Sequence, residues 1–396
     1  MHDVQRPIYL DNNATTALDP DVLQAMMPYL TRCHGNAASR SHAFGWDASR
    51  AVDTARAAIA TAINAARPAD IIFTSGATES VNLALAGLRA LHGASGGHVI
   101  TSMIEHKAVL DSCARLGDNG VSVTCLPPGT DGIVSPQHIE RAIRDDTRLV
   151  SIMAANNETG TLQSLEAIGA LCRERAIPFH TDATQAFGKV ALDVRRMNIS
   201  MASFSAHKIH GPKGIGALYV DSANPGLALS PLIVGGGHER GLRSGTLNVP
   251  GIVGFGRAAE LALQTLESES WRVRGLKDAL RRYLVANVPG MEINGHLTAC
   301  LPGTLNVSFA GVDASSLLLE LPDIALSSGS ACTSAQQSPS HVLLALGASE
   351  ARIQSSVRIG IGRFNTEEEV RHVGARLAEA VAMLRSMVPA ATQPGS

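Results

Sequence analysis

One lysine lies in a loop rich in glycine and small hydroxyl residues, and it is the first residue of the chain that could do chemistry. The segment 203–216 reads SFSAHKIHGPKGIG, with Lys208 between two short apolar runs that predict strands. A lysine in such a loop could form a Schiff base with an aldehyde cofactor, and the hydroxyl and backbone N–H groups suit a phosphate. A surface turn that happens to contain lysine is the alternative, and this segment alone leaves both open.

Three more polar groups follow predicted strands. Thr78 starts a helix after a glycine, where free N–H groups and its hydroxyl could bind a phosphate. Asp182 ends a strand, and its carboxylate could keep a pyridinium nitrogen protonated. His106 precedes a helix, and its ring could stack on a flat cofactor or move protons. For each of them, an ordinary helix cap is the alternative.

An arginine and a cysteine near the C-terminus complete the candidate groups. Arg358, in a predicted strand, could bind a substrate carboxylate in bidentate fashion, with a surface ion pair as the alternative. Cys332 lies in the Ser/Gly-rich segment SSGSACTS at 327–334, where no apolar neighbours are expected to bury it. Reactive cysteines tend to be exposed, so the interpretation is a reactive thiol, against an incidental surface thiol.

The elements that would position these groups alternate between strand and helix. Short apolar strands and helices follow each other up to about residue 220, which predicts an α/β fold with a mostly parallel sheet covered on both faces. The polar groups follow the strands, and open α/β sheets bind ligands at the carboxyl ends of their strands. After the three glycines at 235–237, a long helix over about 253–288 and a new pattern predict a second domain.

The predicted organisation has two domains and a tail. Residues 16–261 form a large α/β domain, and residues 1–15 and 262–390 form a smaller α+β domain that carries the Cys332 loop. Residues 391–396 are predicted to be a disordered tail because they are polar and rich in small residues.

Composition excludes several classes of protein. The chain has 396 residues and a formal net charge of −2, which does not indicate nucleic-acid binding. No apolar run approaches a membrane span, and the polar segment 1–7 lacks a signal core, so the predicted location is cytoplasmic. Six cysteines without a C-x-x-C pair argue against a disulfide framework and against a zinc site.

Taken together, these segments resemble the pyridoxal-phosphate-dependent cysteine desulfurases of the NifS/IscS type. The resemblance covers nearly the whole chain, and the long cysteine loop is similar to the group in which that loop is extended. Its motifs are YLDNNATT at 9–16, FTSGATES at 73–80, EH at 105–106, NNETG at 156–160, HTDATQAFGK at 180–189, SFSAHKIHGPKGIG at 203–216, GGGHERGLRSGTLN at 235–248, SSGSACTS at 327–334 and VRIGIGRFNT at 357–366.

The resemblance implies a fold-type I architecture, as in aspartate aminotransferase, with pyridoxal 5'-phosphate as cofactor. Lys208 would hold the cofactor covalently and later move the Cα proton, and His106 would stack on its ring and assist. The remaining cofactor and substrate contacts that it implies are Asp182 at the ring nitrogen, Gln185 at the phenolic oxygen, Ala77, Thr78, Ser205 and His207 at the phosphate, Asn157 at the cofactor and substrate, and Arg358 at the substrate carboxylate. Thr246 would reach the phosphate of the neighbouring subunit, which implies a homodimer.

The implied reaction converts L-cysteine to L-alanine and leaves a persulfide on Cys332, which passes its sulfur to an acceptor protein. Iron–sulfur cluster assembly, tRNA thiolation and DNA phosphorothioation all use such enzymes, and direct contact with nucleic acid is not expected. Another fold-type I enzyme, such as a selenocysteine lyase or an aminotransferase, is the alternative, and a catalytically silent scaffold is a further one. Four positions depart from the usual pattern of the family, namely Val81, His238, Leu247 and Gly360.

Overall fold

A computed structural model describes residues 7–91, 96–224, 226–328 and 339–387. Cys332 and the tail 391–396 therefore lie outside the described residues. The strands within the described ranges are β1 (Ile8–Tyr9), β2 (Ile71–Thr74), β3 (His98–Ser102), β4 (Ser122–Leu126), β5 (Thr147–Ser151), β6 (Phe179–Asp182), β7 (Met201–Ser205), β8 (Gly216–Val220), β9 (Met291–Ile293), β10 (Thr304–Phe309), β11 (Ile324–Ala325), β12 (Ser327–Ser328) and β13 (Ser356–Gly360).

The α-helices of the same ranges are α1 (Pro20–Thr31), α2 (Ala43–Ala62), α3 (Ala77–Ala86), α4 (Lys107–Asp118), α5 (Pro136–Ala142), α6 (Leu165–Glu174), α7 (Val249–Asn287), α8 (Ala314–Leu319), α9 (His341–Ala345), α10 (Glu350–Gln354) and α11 (Glu367–Met387).

A seven-stranded sheet forms the centre of the fold, in the order β2-β8-β7-β6-β5-β3-β4. Strand β8 is antiparallel to both β2 and β7, and all the other neighbours are parallel. Six strands therefore run in one direction and β8 alone runs in the other. The carboxyl ends of β2, β3, β5, β6 and β7 consequently meet at one edge, as the sequence predicts for the binding site, and the predicted mostly parallel mixed sheet is confirmed.

Helices cover both faces of this sheet. Successive residues of a strand point to opposite faces, and both sets of residues are apolar here, so each face needs a covering layer. In β2, Ile71 and Phe73 join the core cluster that α2 and the first half of α7 complete. Ile72 faces the other side and joins the cluster that contains residues of α3 and α4. The result is a helix–sheet–helix sandwich.

A second sheet, in the order β12-β13-β10-β9, is antiparallel and has its own core. Leu10, the second half of α7 and α11 pack there with the strands β10 and β13. The long helix α7 thus belongs to both cores, with Val249 to Ala259 in the first and Val273 to Leu284 in the second. The boundary between residues 261 and 262 stays a prediction.

Some element bounds that the sequence predicts differ from those in the structure. The alanine-rich run predicts a helix over 48–66, but α2 starts at Ala43, because the His42 side chain accepts a hydrogen bond from the Gly45 N–H and caps the helix there. The segment between Asp182 and Lys208 is long enough for a helix, but the connection between β6 and β7 consists of turns. The Ser/Gly/Gln-rich run predicts a loop over 327–339, and its first two residues form the short strand β12, which pairs with β13.

Candidate active site

A cavity of about 610 Å³ opens at the carboxyl ends of the central strands. Most of the predicted site residues line it, although they are up to 131 positions apart between Ala77 and Lys208. They are Ala77, Thr78, His106, Asn157, Asp182, Gln185, Ser205, His207 and Lys208. The convergence follows from the sheet, since each of these residues comes from the end of one of its strands, from the loop after it or from the first turn of the helix that follows.

Lys208 lies just after β7, in the connection to β8. Its Nζ donates hydrogen bonds to the backbone carbonyl oxygens of Asn13, at 2.6 Å, and Ala14, at 2.7 Å. These carbonyls hold the amine at the wall of the cavity, within the part of the molecule where the polar groups converge.

The N-terminus of α3 forms one pole of the cavity. The first N–H groups of a helix lack intrahelical acceptors and favour an anion, and here they stand beside the Thr78 hydroxyl. This turn packs tightly on β8, because a Cβ added to Gly216 would lie 2.6 Å from the Cα of Gly76. Ser205 and His207 line the same cavity, so this pole offers several donors to a phosphate.

His207 is neutral at this pole in the absence of a bound anion. Burial, together with the positive charges of Lys208, Lys213 and Lys189, lowers the pKa of His207 to about 4. Its Nδ1 shares a hydrogen bond with the Thr15 hydroxyl at 3.1 Å. A phosphate placed here would therefore meet ammonium groups and neutral donors together.

Asp182 and His106 lie on the remaining walls. The Asp182 carboxylate is buried at the end of β6, and its Oδ1 accepts from the Thr184 N–H at 3.0 Å. His106 caps α4, since its Nδ1 accepts from the Ala108 N–H at 3.1 Å. An accepting Nδ1 places the proton of the neutral ring on Nε2. The helix-cap alternative therefore holds for His106, whereas Asp182 caps a turn because turns rather than a helix follow β6. Both residues also line the cavity.

The donors and acceptors of this cavity fit pyridoxal 5'-phosphate. A helix N-terminus suits the phosphate, a buried carboxylate suits the ring nitrogen and a lysine suits the aldehyde. Thr184 gives independent evidence that the cavity binds a polar group. Its hydroxyl is buried at the cavity and has no hydrogen-bond partner among the described residues. Such an unpaired polar atom is uncommon in a native interior and points to a missing partner.

Arg358 lies behind the cavity lining. It is 1% exposed, donates to the Asn157 carbonyl oxygen at 3.1 Å and pairs with the Asp11 carboxylate at 2.9 Å. The alternative of a surface ion pair is therefore wrong. Thr246 is exposed and does not line the cavity of its own chain.

Sequence reasoning gave no role to Asn13, which the structure puts at the centre of the site. Its carbonyl oxygen accepts from Lys208 and, at 2.9 Å, from the Gln185 amide. Its side chain donates to the Asn157 carbonyl and the Thr304 hydroxyl. The motif YLDNNATT was the available signal, but a contact made by a backbone carbonyl leaves no trace in residue type.

The departures from the family pattern have local explanations. A Cβ on Gly360 would lie 2.7 Å from Asn13 Oδ1, so the segment that holds Lys208 packs directly against this glycine. Val81 is fully buried in the core beside the sheet. His238 accepts from the Gly245 N–H at 3.3 Å, and Leu247 packs on the first core, so both hold the segment that carries Thr246.

Comparisons with known proteins agree with this geometry. The family model described as aminotransferase class-V matches residues 8–373. The cysteine desulfurase IscS of Anaeromyxobacter dehalogenans is 51% identical over 383 residues, which cover 97% of this chain and 94% of the relative. The chain belongs to the cysteine desulfurases of the class-V aminotransferase family.

Solved structures of related proteins give the same result. A protein described as NifS-like is 38% identical and superposes with a TM-score of 0.87, covering 95% of this chain and all of that one. A structure described as SspA in complex with cysteine is 40% identical with a TM-score of 0.79, covering 91% of this chain and all of that one.

The fold, cofactor and activity predicted from the sequence are therefore confirmed. This cysteine desulfurase has the fold of the NifS-like enzymes, depends on pyridoxal 5'-phosphate and converts L-cysteine to L-alanine with transfer of the sulfur. No helix within the described ranges has the length and apolar character needed to cross a membrane.

Proposed function

We propose that Lys208 binds the cofactor and then moves the proton at the substrate Cα. The observation that supports this role is the pair of short hydrogen bonds from its Nζ to the Asn13 and Ala14 carbonyls at the cavity wall. When bound, pyridoxal 5'-phosphate acts as an electron sink for the bonds at Cα. Held by these carbonyls at the cavity wall, the Lys208 amine would take the proton from the Cα of a substrate bound in the cavity.

The walls of the cavity supply the other contacts. Ala77, Thr78, Ser205 and His207 bind the phosphate, and Asp182 keeps the ring nitrogen protonated. Gln185 donates to the phenolic oxygen. The proton on His106 Nε2 is free to take part in proton transfer, because Nδ1 is used by the helix cap.

Asn157 lines the cavity and Arg358 lies directly behind it, and these two residues hold the substrate carboxylate. Asp11 and the Asn157 carbonyl orient the buried guanidinium, so its positive charge is fixed next to this wall of the cavity. Arginine keeps its charge throughout the working pH range, which suits the recognition of a permanent carboxylate.

Cys332 removes the sulfur. Its thiolate attacks the sulfur of the substrate, an S–S bond forms, the Cβ–S bond breaks, and the electron pair of that bond remains on carbon, which takes up a proton to give alanine. The persulfide on Cys332 then passes its outer sulfur to an acceptor protein of iron–sulfur assembly, tRNA thiolation or DNA phosphorothioation. A protein acceptor is favoured over direct delivery to nucleic acid because the chain has a net charge of only −2.

The test compares Cys332→Ala with Lys208→Ala. Cys332→Ala is expected to keep the visible absorption band of the bound cofactor and to lose sulfide release by more than about a hundredfold, as for other lost nucleophiles. Lys208→Ala is expected to lose both the band and the activity. Normal turnover by Cys332→Ala would disprove the persulfide step.

The chain works as a homodimer in which Thr246 reaches the phosphate of the neighbouring subunit. Support comes from the exposure of Thr246 and of apolar side chains on α1 and just before the Thr246 segment. These apolar residues are Leu23, Met27, Leu30, Leu232, Ile233 and Val234. The cytoplasm is the proposed location, because the described cysteines are free thiols and a persulfide needs a reducing compartment.

A further inference from the structure

A second lysine, Lys189, lies behind the cofactor cavity and is not used by the proposed reaction. Its Nζ donates to the Gln185 Oε1 at 3.0 Å, and its main-chain carbonyl accepts from the Ser270 hydroxyl of α7 at 2.8 Å. It lines a second, smaller cavity of about 40 Å³, together with Lys208 and Glu269. Lys208 therefore lies between the two cavities, and Lys189 faces it from the rear.

The environment of Lys189 disfavours its charge. Burial lowers the pKa of Lys189 to about 7, the positive charges of Lys208 and Arg358 act in the same direction, and only Glu269 opposes them. Glu269 itself is paired with Arg363 at 2.7 Å. Across the described residues, Lys189 makes no ion pair within 4 Å, and Gln185 is the one side chain to which it donates a hydrogen bond.

Two hydrogen bonds set which way the Gln185 amide points. The Lys189 amine donates to the amide oxygen of Gln185, and its charged form has no acceptor, so this contact favours the oxygen toward Lys189 and the amide nitrogen away from it. The nitrogen then donates one N–H to the Asn13 carbonyl at 2.9 Å. Its second N–H is left for an acceptor in the cofactor cavity, which Gln185 lines. With the amide reversed, its oxygen would repel an anionic oxygen placed there.

We propose that Lys189 is a positioning residue that fixes the Gln185 amide with its N–H toward the phenolic oxygen of the cofactor. This inference rests on the proposed contact between Gln185 and that oxygen. Gln185 and Lys208 donate to the same Asn13 carbonyl oxygen. Lys189, Gln185, Asn13 and Lys208 therefore form one hydrogen-bonded chain from the rear cavity to the cofactor cavity.

The test is a spectrophotometric pH titration of the visible cofactor band in the full-length enzyme loaded with pyridoxal 5'-phosphate. Gln185→Ala removes the donor and is expected to shift the midpoint by about one pH unit, the size that one hydrogen bond at a titrating group produces. Lys189→Met keeps the length of the side chain without its donors, and is expected to shift the midpoint in the same direction. The double variant is expected to shift no further than Gln185→Ala alone, because both changes remove one interaction.

Lys189→Arg is the conservative control and is expected to keep the wild-type midpoint, since it retains donors toward Gln185. If Lys189→Met does not fold, Lys189→Arg still tests the inference, because an arginine variant with the midpoint of Gln185→Ala would contradict it. Two results would overturn the role of Lys189 but not that of Gln185. One is a midpoint that shifts in Gln185→Ala and not in Lys189→Met, and the other is additive midpoint shifts in the double variant. No shift in Gln185→Ala would overturn the role of Gln185 and this inference with it, while the Cys332 and Lys208 results would stand.

Discussion

Glu105, the residue before His106, is a carboxylic acid that is fully buried next to the active site. Its Oε1 accepts from the Ser102 hydroxyl at 2.7 Å and the Met153 N–H at 2.9 Å. Its Oε2 is buried and has no partner among the described residues. Burial raises the pKa of Glu105 to about 8, and the negative charge of Asp182 adds to this effect. The side chain is therefore protonated at neutral pH.

This proton makes stability depend on pH. Above the ordinary pKa of a glutamate and up to about 8, folded Glu105 keeps a proton that the unfolded chain has released, so the free energy of unfolding falls as pH rises. Between pH 6 and pH 9, we expect the Tm of Glu105→Gln to fall less than the Tm of the wild type. The difference between the two decreases is expected to be about 2 °C or more. Thermal unfolding of the holoenzyme measures this. Glu174→Gln on the exposed side of α6 is the control, and equal slopes for all three proteins would contradict the prediction.

At the scale of elements, the turn before α3, which is the proposed phosphate site, depends on the strand beside it. A Cβ on Gly216 would lie 2.5 Å from the Phe204 carbonyl oxygen and 2.6 Å from Gly76 Cα. Because these are backbone atoms, they cannot move aside as a flexible side chain would. The antiparallel pairing of β8 with β2 and β7 thus sets the position of this turn, whose N–H groups are proposed to bind the phosphate.

Gly216→Ala is therefore expected to displace this turn. We expect weaker binding of pyridoxal 5'-phosphate and a loss of about 1–3 kcal/mol in the free energy of unfolding, as for other overpacked sites. Titration of the apoenzyme with cofactor and denaturant unfolding measure the two effects. Gly275→Ala on α7 is the matched control, because its added methyl group meets nothing within 4 Å. Unchanged cofactor affinity in Gly216→Ala would show that the turn is not held by β8.

The sequence predicted the sheet and the residues at its strand ends because hydrophobic runs and polar breaks are local signals. It did not predict the turns between β6 and β7, because the segment is long enough for a helix and its length alone does not distinguish a helix from a series of turns. It also missed Asn13, which acts through its backbone carbonyl, and the pairing of Arg358 with Asp11, 347 positions away. Such contacts depend on tertiary packing, which periodicity and residue type do not encode.

At the scale of the whole molecule, the proposed dimer predicts that active sites are shared. Lys208→Ala and Thr246→Asp are each expected to be inactive alone, the second because an added carboxylate repels the phosphate. If Thr246 acts across the interface, a dimer of one subunit of each kind has one intact site. Mixing after co-expression or reversible dissociation is then expected to restore part of the desulfurase activity.

Co-expression of two Lys208→Ala chains with different tags is the control for mixing and is expected to stay inactive. A mixed dimer without activity would indicate that Thr246 serves the cavity of its own chain. Sedimentation of the wild-type protein as a monomer would exclude shared sites altogether.

The segment around Asn13 has a consequence for how the enzyme matures. Asn12 donates to the Gly360 carbonyl 348 positions away, Asn13 donates to Thr304 at a separation of 291, and Lys208 reaches back 195 positions to Asn13. Contacts that close such long loops form late, because their entropic cost is met only after local structure has formed. We therefore expect the pocket around Lys208 to be completed only after β13 has folded, so that the cofactor binds after nearly the whole chain has been synthesised.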